Sequence, residues 1–120
     1  MPFIKIDASP NMRERINADS LALQVYNSAL SLGAIESKYL RVWVTFADSH
    51  KTADGDASNG FVHVSMMFRL GRTQELLKQI SEHVFNDVCG FLDEDYKNNP
   101  LAISLEVREC GDGMLYSNTR

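Results

Sequence analysis

The chain has 120 residues, 44% apolar and 23% charged, with a formal net charge of -4. That length suits one domain over residues 1–120. The mild acidity and scattered Lys and Arg argue against a nucleic-acid face. No apolar run reaches the ~18 residues of a membrane span, and no basic-then-apolar leader opens the chain. Cys89 and Cys110 have neither metal spacing nor a Cys-x-x-Cys arrangement. They predict reduced thiols and a cytoplasmic setting.

Residues 2–7, PFIKID, alternate well enough for a first strand. Proline is tolerated as a strand's first residue. Pro2 also has a second reading: initiator methionine is commonly removed before a small residue, which would leave Pro2 with a free secondary amine. Ser9, Pro10 and Asn11 break the strand. A helical pattern runs from Asp19 through Leu23, Tyr26, Leu30 and Leu32, with Asn17 or Asp19 as N-cap and Gly33 as the stop.

Residues 39–47, YLRVWVTFA, are rich in β-branched and aromatic types and read as a second strand. DSHKTADGDASNG, residues 48–60, reads as a loop. Its ADGD stretch suits a hairpin-type turn better than a calcium loop, which needs more oxygens and a bidentate Glu. A third strand follows over residues 61–70, FVHVSMMFRL. Its VSMMF run is apolar enough to predict that both sheet faces need cover, the second from a partner subunit. From about Thr73 a long helix places Leu76, Leu77, Ile80, Val84, Val88 and Leu92 on one face. Beyond Pro100, LAISLEV at residues 101–107 is a fourth strand, and the tail from Gly111 is polar and irregular.

The order is therefore βαβ followed by βαβ. Two α+β architectures share it. One is the ferredoxin-like fold, often a small-molecule regulatory domain. In the other, two parallel βαβ units join into one four-stranded mixed sheet with two helices on one face. Element order does not separate them.

Chemistry-bearing motifs are few. There is no phosphate-binding glycine loop, dinucleotide fingerprint or nucleophile elbow. His50, His63 and His83 lack ligand spacing; His63 reads as a strand histidine with a local hydrogen bond, the other two as exposed. Arg41 and Trp43 are two apart on the second strand and share a face. An arginine on a central strand must reach solvent, a carboxylate partner or an anionic ligand. Arg72, in LGRTQE, stands where the third strand gives way to the second helix, beside a helix N-terminus that attracts anions. A structural salt bridge is open to both arginines.

Taken together, MPFIKIDASPNMRE, LRVWV, TADGDASNGFVHVSMMFRLGRTQE and LAISLEVRE resemble the 5-carboxymethyl-2-hydroxymuconate isomerase family of the tautomerase superfamily. The resemblance covers nearly the whole chain, to about Glu109. It implies the second architecture, a homotrimer with sites at subunit interfaces, and no metal or organic cofactor. It also implies a small-molecule carboxylate substrate, an unsaturated 2-hydroxy di- or tricarboxylate of the kind met in aromatic-compound breakdown. Pro2 corresponds to the family's catalytic base and acid, and Arg41 and Arg72 to its substrate-binding arginines. A reference α-amino group titrates near pH ~8; burial and neighbouring cations would lower a proline amine toward the working pH. A tautomerase-fold protein that binds without catalysing is the alternative if Met1 stays in place.

Overall fold

The computed structural model describes residues 2–111 together with Tyr116 and Asn118, so most of the tail lies outside the described residues. The elements are β1 (Phe3–Ala8), α1 (Met12–Arg15), α2 (Ala18–Leu30), a 3-10 turn (Ser37–Tyr39), β2 (Arg41–Phe46), β3 (Gly60–Phe68), α3 (Gln74–Phe91), α4 (Asp93–Asn98) and β4 (Leu101–Glu109). The strands form one sheet in the order β2-β1-β3-β4. β2 runs parallel to β1 and β4 parallel to β3, while β1 and β3 are antiparallel. Each βαβ unit is thus a parallel pair, and the two units meet through their first strands. The ferredoxin-like alternative is overturned, because it needs antiparallel neighbours where this sheet has two parallel pairs.

Strict alternation places the core. Ile4, Ile6 and Ala8 of β1 and Val62, Val64, Met66 and Phe68 of β3 are all buried. They pack with Leu21, Val25 and Ala29 of α2 and Leu77, Ile80, Val84 and Val88 of α3. Each of these Val, Leu, Ile, Met and Phe side chains contributes about 1.5–3 kcal/mol relative to exposure. The opposite sheet face carries Lys5, Asp7, Thr45, His63, Ser65, Ser104, Glu106 and Arg108, with Phe3, Trp43 and Met67 toward one end. That corrects the two-sided apolar face expected from VSMMF. The run splits by period two: Val64, Met66 and Phe68 point inward, while Ser65 and Met67 point outward.

Helix ends follow local chemistry. The Asn17 side chain accepts from the Ser20 N–H, and Thr73 accepts from the Leu76 N–H. Gly33, at φ 72°, stops α2 by donating its N–H to the Leu30 carbonyl. α1, α4 and the 3-10 turn escaped prediction because stretches of 3 to 6 residues are too short to show a helical period.

The loop after β2 is not a hairpin, since β2 and β3 are not neighbours and β1 lies between them. It crosses the end of β1 and is tied there by side chains. Asn11 donates Nδ2 to the Asn59 carbonyl at 2.8 Å, Ser9 donates Oγ to Asn11 Oδ1 at 2.6 Å, and Asn59 donates to Asp54 at 2.7 Å. Arg15 forks onto both carboxylate oxygens of Asp95, at 2.9 and 2.8 Å, and reaches the Ser58 carbonyl. The Ser9–Asn11 and Asp54–Gly60 motifs thus build scaffold. They sit at the far end of β1 from Pro2, about 20 Å away at ~3.3 Å per residue. No helix among the described residues is long and apolar enough to cross a membrane.

Candidate active site

Pro2 is buried and lies immediately before β1. Continuing the two strand registers by one residue sets it between Leu40 and Phe68. Both are buried, Leu40 at 8% exposure and Phe68 at 0%. The surroundings of Pro2 are therefore apolar on two sides. This end of the sheet gathers the starts of β1 and β2 and the ends of β3 and β4, and α3 begins here.

Arg72 reaches the same corner. Its guanidinium lies over the Phe68 ring, 5.2 Å from the centroid, and its side chain is half-buried. Stacking on an aromatic face suits guanidinium, which leaves its in-plane donors available to a carboxylate. Just beyond it, Thr73 opens α3, so the positive end of an eighteen-residue helix adds to the field. Arg41 is exposed at the start of β2, in register with Phe3. β2 is an edge strand, not the central one expected, so Arg41 reaches solvent without crossing the core. Pro2 and Arg72 thus share Phe68 as a neighbour, and Arg41 flanks the next residue of the chain, on the open face.

Two aromatic residues at this corner had no counterpart in the sequence reading of the site. Phe68 carries Arg72, a placement that the i, i+4 spacing across a turn hints at. Phe3 stacks on Trp43, with ring centroids 5.5 Å apart and an interplanar angle of 26°. At the β4 side of this end, Gln74 donates to Glu109 at 2.8 Å, and the Cys110 N–H donates to the Phe68 carbonyl at 2.7 Å.

The histidines are held by local partners. His63 contacts Ser104 Oγ through Nδ1 at 2.6 Å and Glu106 through Nε2 at 3.0 Å, in mid-sheet, as a strand histidine with local bonds. The His63 hydrogen bond holds the Glu106 carboxyl below its ordinary range, and Arg108 acts in the same direction. His83 pairs with Ser31 and His50 with Thr52; both rings are partly covered rather than fully exposed. Cys89 and Cys110 are free thiols, and burial pushes Cys89 up. Among the described residues no group of three or more His, Cys, Asp or Glu could hold a metal ion. Four grooves of the described surface are lined by other residues than Pro2, Arg41 and Arg72.

Two parallel βαβ units joined through antiparallel first strands, with a proline ahead of β1, define the tautomerase fold. Solved structures agree. A 5-carboxymethyl-2-hydroxymuconate delta-isomerase matches with a TM-score of 0.91 over 98% of this chain and 87% of that one, at 14% identity. A fused 4-OT solved as a symmetric trimer gives 0.63 over 98% and 94%, at 16% identity. At such identities the likeness shows the fold alone. The sequence comparisons go further. The 5-carboxymethyl-2-hydroxymuconate isomerase family model matches residues 2–119. A 5-carboxymethyl-2-hydroxymuconate Delta-isomerase of Escherichia coli is 26% identical over 109 residues, 91% of this chain and 86% of that protein. The chain belongs to the 5-carboxymethyl-2-hydroxymuconate isomerase family, and by family it is an isomerase.

Proposed function

We propose that this chain moves a proton along an unsaturated 2-hydroxy di- or tricarboxylate, with Pro2 as the base and acid once Met1 is removed. The observation that carries the reading is the burial of Pro2 between Leu40 and Phe68, with Arg72 stacked on that same Phe68. Apolar burial and a neighbouring guanidinium both disfavour an ammonium. The amine is thereby kept neutral enough to take a proton at working pH and acidic enough to return it.

Arg72 and Arg41 hold the substrate's carboxylates, each able to bind in the bidentate manner that fixes a flat acid. As the substrate loses its proton, charge builds on the enol oxygen, and a guanidinium beside it stabilises that charge in water-poor surroundings. The residues supply base, charge and orientation, so the reaction needs no cofactor. A homotrimer in the cytoplasm is part of the same proposal. It draws support from the symmetric trimer of the fused 4-OT.

Intact-mass measurement of protein from its native host tests the first requirement. The proposal expects the mass of the chain lacking methionine; full retention of Met1 leaves Pro2 an amide and ends the base mechanism.

A further inference from the structure

Arg72 is half-buried, yet among the described residues no hydrogen bond or ion pair engages its guanidinium. What lies against it is the Phe68 ring, whose centroid is 5.2 Å from the guanidinium carbon. A carboxylate partner would have occupied its N–H donors. A ring face attracts the cation and leaves those donors to a ligand. The chain makes this contact by folding back on itself. Phe68 ends β3, and Arg72 stands two residues before α3. Between them Arg69, Leu70 and Gly71 are exposed. Gly71 has φ 123°, where a residue with a side chain is strained. A Cβ there would meet nothing within 4 Å, so glycine serves the turn and not a lack of space. The ring beneath is anchored: Phe68 is fully buried, and its carbonyl accepts from the Cys110 N–H at 2.7 Å.

We propose that Phe68 and Gly71 are positioning residues for the carboxylate-binding arginine: the ring and the turn hold the Arg72 guanidinium in its binding position before the acid arrives. Ordering a free arginine during binding would weaken affinity about three- to tenfold, the usual cost of immobilising one rotamer-rich side chain. Here the fold has ordered it beforehand. The inference rests on the role given to Arg72 in the proposed isomerase site and adds the residues through which that role is set.

Calorimetric titration of the full-length chain with trans,trans-muconate, a flat conjugated dicarboxylate without the 2-hydroxyl group, is the test. Arg72→Ala is expected to weaken muconate about tenfold or more. Phe68→Leu keeps the position apolar but removes the ring face, and Gly71→Ala strains the turn. Each is expected to weaken muconate about three- to tenfold. In the Arg72→Ala background both are expected to change affinity less than about twofold, because their effect runs through the guanidinium. Gly71 is exposed, so its variant carries the test if Phe68→Leu does not fold. Equal losses with and without Arg72 would assign both residues to general support of the fold and overturn the proposal. Wild-type affinity in Phe68→Leu and Gly71→Ala, where Arg72→Ala binds weakly, would also overturn it and leave the isomerase reading of Arg72 standing. Undiminished binding by Arg72→Ala would remove that reading and this proposal together. Binding needs no base, so these titrations stand even if Pro2 proves catalytically idle.

Discussion

The guanidinium of Arg72 lies 5.2 Å from the centre of the Phe68 ring, and Phe68 is the residue that the β1–β3 register places opposite Pro2. One fully buried aromatic side chain therefore ties the positive group to the proposed reactive amine. Its position is fixed from beneath by the core and from beside by the Cys110 N–H bond to its carbonyl.

That geometry predicts unequal effects at Arg72. A hydrogen bond to a charged group is worth about 1.5–3 kcal/mol, so Arg72→Ala is expected to lower kcat/KM on a 2-hydroxymuconate-type acid by roughly 10–100-fold. Arg72→Lys keeps charge but loses the fork and the stacking, and falls between. Folding stability should change by no more than about 1 kcal/mol, the worth of a half-exposed cation–π contact. Steady-state kinetics beside urea unfolding separates the two; a loss of stability without loss of rate contradicts the role.

Gly60 predicts the opposite pattern. A Cβ there would stand 2.9 Å from Arg15 Nη1, 3.1 Å from Met12 Sδ and 3.3 Å from Ser9 Oγ. Arg15 cannot swing aside without leaving Asp95 and the Ser58 carbonyl. Gly60→Ala is expected to cost about 1–3 kcal/mol of stability, as overpacking usually does. Turnover per folded molecule should hold, because Pro2 lies at the other end of β1. Urea unfolding and rates on the folded fraction provide the check.

Acid should weaken the fold through three carboxylates. Glu106 is held low chiefly by His63, Asp54 chiefly by the Asp56 N–H with Asn59, and Asp56 by the Ser58 hydroxyl and N–H. A carboxyl lowered in the folded state contributes stability fully above its unfolded value, near pH ~4, and loses it as pH falls through the folded value. The urea midpoint is expected to drop as pH goes from about 5 to 3. The combined Asp54→Asn, Asp56→Asn and Glu106→Gln chain should show a shallower drop; parallel curves for the two proteins would rule this source out.

Much of this arrangement was legible in the residues. Asn17, Gly33 and Thr73 marked helix ends because capping is local chemistry, and the Leu77–Val88 stripe showed which face of α3 is buried. The strand order was not legible, since βαβ units can join in more than one way, and only pairing partners distant in sequence decide. For the same reason Arg41 was placed on a central strand although β2 is an edge. Pro2, Arg41 and Arg72 were found at one end of the sheet, but Phe68 and the Phe3–Trp43 stack were not foreseen, because they depend on register between strands. Ser9 and Asn11 were read as strand breakers. Their hydrogen bonds show that they tie down the loop before Gly60.

Turnover of Pro2→Ala on a 2-hydroxymuconate-type acid tests the account most directly, with wild-type protein of verified N-terminus as reference. A properly placed acid–base group contributes about 10²–10⁴-fold. The variant is expected to lose that much in kcat while it folds and still binds an unreactive dicarboxylate. A variant that binds and turns over at the wild-type rate would show that the proline is only a strand's first residue.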